Sequence, residues 1–118
     1  MEIKGEAKLL RIFLGESDKC GSVSLYEKIV IEARKQELAG ATVYRGITGF
    51  GANSVIHKAK FLTISEDLPL VIEIVDEVER IDKFIPTVKE IFDESNSGGL
   101  ITIEKAEIVQ LSTTKKEK

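Results

Sequence analysis

The sequence offers few residues that could do covalent or acid–base chemistry. It holds one histidine, His57, one cysteine, Cys20, and no tryptophan. Neither a Gly-x-Ser-x-Gly nucleophile turn nor a paired-carboxylate constellation near a base is present, so the side chains that general acid–base catalysis needs are missing. Glu16 and Asp18 are neighbours, but carboxylates in a polar loop read as solvated surface. Lys19 could lower the pKa of the Cys20 thiol, although a loop cysteine is ordinarily inert. His57 alone cannot build a metal site, which takes three or four converging ligands. It can still donate a hydrogen bond to a ligand phosphate. The chain reads as a binding protein and not as an enzyme.

Glycines are the stronger signal. Gly46-Ile47-Thr48-Gly49-Phe50-Gly51 lacks the Gly-Lys-Ser/Thr of a Walker loop and does not open a helix as a dinucleotide fingerprint does. A second pair, Gly98-Gly99, precedes the last strand. Backbone amides in such turns can wrap an anion without any charged side chain. If the fold brings the two turns together across a subunit boundary, they form a phosphate cradle; otherwise they are only turns. Gly49-Phe50-Gly51 also mimics the start of the aromatic strand motif of RNA-recognition domains. There, further stacking rings should follow, and this chain has Ala52, Ser54 and Val55.

The elements that must position these residues follow from periodicity. Residues 8–14 are apolar on nearly both faces and read as a central strand. Residues 15–21 read as a polar loop. Ser24 and Glu27 have capping-box spacing ahead of a helix with Leu25, Ile29 and Ala33 on one face, and Gly40 supplies its left-handed stop. Residues 41–47 read as a second strand, 52–57 as a mobile loop, 58–64 as a short strand or hairpin arm, and 70–75 as the third main strand. Asp76 and Glu79 signal the start of a second helix carrying Val78, Ile81, Phe84, Ile85, Val88 and Ile91, with a kink expected at Pro86. Residues 100–103 form the fourth strand, 106–111 a further edge strand, and 115–118 a mobile tail.

That order is the split βαβ arrangement: an α+β, ferredoxin-like βαββαβ sandwich, an antiparallel sheet with two helices on one face. Residues 1–118 fit a single domain. Strands 1 and 3 carry more apolar surface than two helices cover, which predicts burial against sister subunits. A net charge of −3 argues against a general nucleic-acid or anionic-membrane binder. The longest apolar runs are too short to span a bilayer, no export signal is visible, and one cysteine suits a reducing cytosol, so a cytoplasmic location is expected. Abundant Lys and Glu beside scarce Asn, Gln, Met and Cys resembles the balance of proteins from hot environments.

With these residues in view, the chain resembles the PII-like (GlnB-like) signalling proteins, and more closely the PII-like family catalogued as domain of unknown function 190. The segments that carry the likeness are 10–18, 25–30, 39–51 and 65–76. The looser match to true PII proteins rests on Thr42-Val43, Gly49-Phe50-Gly51, Leu68-Pro69 and Gly98-Gly99. The resemblance implies a homotrimer with nucleotide clefts between subunits. It also implies that the 46–58 loop after strand 2 touches a partner, a transporter or an enzyme. Carried over, the cleft roles fall on Thr42, Gly49, Phe50, Gly51, Asn53, Gly98 and Gly99. The family's lysine position is Leu100, and its two arginine positions fall near Ile108 and Gln110. Three cations that would meet a triphosphate are thus absent, which favours a nucleoside monophosphate or cyclic nucleotide over ATP. Arg45, His57, Lys58 or Lys60 could supply compensating donors. The other reading is a structural or adaptor subunit that binds no effector.

Overall fold

A computed structural model describes residues 2–51 and 67–113. Eight elements follow in order: β1 (Glu2–Gly15), β2 (Lys19–Cys20), β3 (Val23–Ser24), α1 (Leu25–Lys35), β4 (Thr42–Arg45), β5 (Pro69–Glu77), α2 (Val78–Ser95) and β6 (Leu100–Ser112). The main sheet has the order β4-β5-β1-β6 with every pairing antiparallel. Leaving aside the small β2–β3 pair, this is the βαββαβ arrangement expected from the element pattern. The loop expected at 52–57, the short strand or hairpin arm expected at 58–64, Asn53, His57, and the tail at 115–118 lie outside the described residues.

Alternation along the central strands decides which face is buried. Leu10, Ile12 and Leu14 of β1 and Leu70, Ile72 and Ile74 of β5 point to one side. There they meet Leu25, Ile29 and Ala33 of α1 and Ile81, Phe84, Val88, Ile91 and Phe92 of α2. Both helical faces therefore fall where the 3.6-residue period put them, with Phe92 an additional core residue.

Several local expectations are corrected. Ser24 is the N-cap of α1 but makes no side-chain cap hydrogen bond. Its backbone is engaged in the β2–β3 pair opposite Lys19, and the Leu25 amide donates to the Asp18 carbonyl at 2.8 Å. The same pair adds a small hairpin to what reads as a plain polar loop. The helix stops before Gly40: Glu37, at φ 62°, takes the left-handed position. The Leu38 amide then reaches the Ala33 carbonyl and the Glu37 amide the Arg34 carbonyl, a Schellman pair, with Leu38 packed on the core. Pro86, where a kink is expected, lies inside the single helix Val78–Ser95. The fourth strand and the supposed separate edge strand are one continuous β6, paired with β1 from its first residue to its last.

Asp76 caps nothing with a side-chain bond of the expected type, and Glu77 holds the N-cap position of α2. The Asp76 carboxylate is fully buried and accepts from the amides of Ala39 (2.9 Å) and Glu77 (2.7 Å) and from Arg80 Nε (3.2 Å). Arg80 also donates to the Glu37 carbonyl. One charge thereby ties the end of α1 to the β5–α2 junction.

The opposite sheet face carries Leu9, Phe13, Val71, Val75 and Leu100, none fully buried. A polar rung crosses it through all four strands. Tyr44 donates to Glu73 Oε1 (3.2 Å), Arg11 donates to Glu73 Oε2 (2.8 Å), and Arg11 Nη1 lies 3.3 Å from Glu104 Oε2. The hydrogen bond from Arg11, and secondarily that from Tyr44, holds the Glu73 carboxyl below its ordinary value, against the opposing effect of desolvation.

Glu37→Gly should raise stability by about 0.5–1 kcal/mol, because it relieves a left-handed β-carbon while leaving the carbonyl that Arg80 uses; urea unfolding checks this. The depressed Glu73 carboxyl stabilises the fold above its ordinary pKa of 4.5 and loses that contribution as pH falls below it. Thermal melts should therefore show the advantage of wild type over Glu73→Gln shrinking as the pH drops through the acid range.

Candidate functional site

At one end of the sheet, β1 finishes, β5 begins and β6 begins. The chain leaving β4 turns across the same end. The segment Asp67-Leu68-Pro69 joins these pieces. The Leu68 carbonyl accepts from the Glu16 amide at 2.8 Å, the Asp67 carboxylate from the Ser17 amide at 3.1 Å, and the Pro69 carbonyl from the Gly46 amide at 2.7 Å. Between them lies a cavity of about 280 Å³ lined by Phe13, Leu14, Gly15, Asp18, Gly49, Phe50, Gly51, Asp67, Pro69, Leu70, Gly98, Gly99 and Leu100.

The two glycine turns thus converge within one chain, without a subunit boundary between them. Their glycines serve different ends. A β-carbon at Gly99 would lie 2.6–2.8 Å from the Phe92 ring and the Phe13 carbonyl, and one at Gly46 2.8 Å from the Pro69 ring. Close packing requires glycine at both. Gly49, at φ 143°, needs glycine for its backbone angle. Gly51 has no such constraint, since a β-carbon there meets nothing within 4 Å. Phe50 is 76% exposed at the cavity, its ring in contact with solvent.

Of the other residues expected at the site, Thr42 stands opposite Glu73 on the uncovered sheet face. Arg45 is opposite Leu70 and its guanidinium pairs with Glu16. Neither lines the cavity. Leu100 does line it. Ile108 is half-buried and Gln110 exposed farther along β6, the latter 3.3 Å from Ser112 Oγ.

Sequence reasoning missed the acidic side of the cavity. Asp18, taken for solvated surface, is half-buried, and its Oδ2 accepts from the Gly15 amide at 2.9 Å. Asp67 approaches from the other side, both carboxylates facing Gly15: a β-carbon built there would be 2.7 Å from Asp67 Oδ1 and 3.4 Å from Asp18 Oδ1. Burial, with a smaller push from the Asp67 charge, raises the Asp18 carboxyl above its usual range, while the Gly15 amide pulls it down. The available signal was Asp67 ahead of Leu-Pro at a strand start, a turn position where a carboxylate commonly accepts backbone amides. Among the described residues no group of three or more His, Cys, Asp or Glu side chains could hold a metal, and no helix is long and apolar enough to cross a membrane.

Sheet order and the two helices give the chain a ferredoxin-like fold, and solved PII-like proteins share it. CPII of Thiomonas intermedia K12, a nitrogen regulatory PII-like protein, superposes in its apo form with a TM-score of 0.60 at 13% identity, over 92% of this chain and 97% of its own. CPII bound to ADP, AMP and acetate gives 0.58 at 13% identity, over 90% and 91%. The chain belongs to the DUF190 family (Uncharacterized ACR, COG1993), whose pattern matches residues 7–108. A UPF0166 protein of Aquifex aeolicus is 38% identical over 88% of this chain and 94% of its own length. One from Methanocaldococcus jannaschii is 34% identical over 92% and 96%.

The glycine geometry separates packing from ligand effects. Gly99→Ala should cost about 1–3 kcal/mol of stability through overpacking against Phe92 and the Phe13 carbonyl. Gly51→Val should leave the melting temperature nearly unchanged, and differential scanning fluorimetry of the two variants checks the contrast.

Proposed function

We propose that this protein is a PII-like regulatory subunit, cytoplasmic and non-enzymatic, that senses a small nucleotide at the cavity beside Asp67-Leu68-Pro69. The observation that carries this reading is the convergence of Gly49-Phe50-Gly51 with Gly98-Gly99 on one cavity beside an exposed aromatic ring. Its support from likeness is that CPII, of the same fold, has been solved with ADP and AMP. At about 280 Å³ the cavity is slightly below the ~300 Å³ at which small-molecule sites begin, so one subunit holds part of a nucleotide and a neighbour completes the cleft. The half-exposed apolar residues around the Tyr44–Glu73–Arg11–Glu104 rung are the surface through which we expect three copies to associate. Asn53 and His57 are expected to complete the site together with Thr42 and Arg45, which lie outside the cavity of a single chain and would act in the cleft between subunits. The 46–58 loop carries the signal to a transporter or enzyme.

A mono- or cyclic nucleotide is favoured over ATP. Leu100, Ile108 and Gln110 stand where the resemblance expects cations, and among the described residues no cationic side chain lines the cavity. Isothermal titration of AMP, cyclic AMP, ADP and ATP should give the tightest binding to one of the first two, and Gly51→Val should abolish it in a folded protein of unchanged mass. A saturating ligand at about 100 times its dissociation constant should add ~2.7 kcal/mol to stability. No stabilisation by any nucleotide would favour the structural or adaptor reading, and a monomer by light scattering would overturn the trimer.

A further inference from the structure

The cavity's polar side chains are of one kind. Among the described residues that line it, Asp18 and Asp67 are the only ones with polar side chains, and the others are aromatic, aliphatic or glycine. Among the described residues, a phosphate seated there would face two carboxylates and no lining cation. A flat heterocycle instead finds Phe13, Phe50, Pro69, Leu70 and Leu100 for its faces. Its hydrogen-bond donors find carboxylate oxygens. Each carboxylate already accepts one backbone amide, Gly15 to Asp18 and Ser17 to Asp67, which fixes its orientation and leaves lone pairs over. The two meet around Gly15, where any side chain would intrude on them. That Asp18 is desolvated strengthens any hydrogen bond it accepts.

We infer that the cavity takes the base of the nucleotide and not its phosphate, and that Asp18 and Asp67 select bases bearing an amino group (adenine, guanine or cytosine) by accepting its protons. This rests on the nucleotide-sensing reading, and reverses the simplest expectation for the glycine turns by sending the phosphate outward.

The test is calorimetric titration of the full-length protein with matched monophosphates: AMP against purine riboside monophosphate, which has hydrogen in place of the amino group, and CMP against UMP. The tightest ligand should bear an amino group and exceed its amino-free partner by about tenfold or more, the loss expected for a hydrogen bond to a charged acceptor. The preference should shrink in Asp67→Ala, whose side chain is exposed, and in Asp18→Asn, with melting curves confirming folding. Adenosine should keep the preference without a phosphate. Equal affinities within the pairs would overturn the inference while leaving nucleotide sensing intact. Binding that vanishes with EDTA would overturn it too, because the carboxylates would then be holding a divalent cation against a phosphate. If no nucleotide or nucleoside binds, the nucleotide-sensing reading falls and this inference with it.

Discussion

Three residues at the start of β5 hold the whole functional end of the molecule together. Asp67, Leu68 and Pro69 take hydrogen bonds from Glu16 and Ser17 on one side and from Gly46 on the other. Proline suits the position: its fixed φ starts an extended strand. Its ring also sets the space allowed to the chain leaving β4, because β-carbons at Gly46 and Gly49 would come within 2.8 and 3.3 Å of it. The glycines of the first turn are therefore partly a consequence of the proline. The second turn obeys a parallel rule, since the Gly99 backbone lies close against Phe92 and the Phe13 carbonyl. The cavity is what remains when two glycine turns are pressed against a strand junction.

The other end of β5 is fixed by a different force. Asp76 is a buried charge, which is costly unless its lone pairs are filled, and the amides of Ala39 and Glu77 with the Arg80 guanidinium fill them. These partners come from the segment after α1 and from the first turn of α2. Helix placement is thus specified by polar geometry as well as by the apolar stripe. With both ends of β5 pinned, the register that sets Glu73 opposite Arg11 and Leu70 opposite Arg45 has little freedom to slip.

This division explains what could be read from the sequence. The helices were legible where a period repeated, as at Leu25, Ile29 and Ala33 on α1, and β1 and β5 were legible as apolar runs. Punctuation was less legible. Gly40 looked like the stop of α1, but Glu37 accepts the left-handed angle because Leu38 gains core contact and Arg80 takes the Glu37 carbonyl, and neither partner is visible locally. Beyond Ile103, β6 alternates little because both its faces are largely exposed there, so a continuous strand read as two. At the site, the glycines announced themselves by composition. The acid pair did not, because Asp18 and Asp67 lie on opposite sides of the fold's sequence and meet only once β1 and β5 pair.

That pairing changes the electrostatic character of the site. Glycine-rich turns alone suggest an anion, because their amides are bare donors. A phosphate placed about 4 Å from one carboxylate would meet repulsion of roughly 4 kcal/mol at an effective dielectric near 20, comparable to what one or two amide hydrogen bonds to a charged oxygen return. Among the described residues no cation lines the cavity: Arg45 is paired with Glu16, and Leu100 occupies the wall. At Gly46 and Gly99 glycine makes room, letting backbone pack against Pro69, Phe92 and the Phe13 carbonyl, and the space left beside them is walled by Phe50 and the two carboxylates.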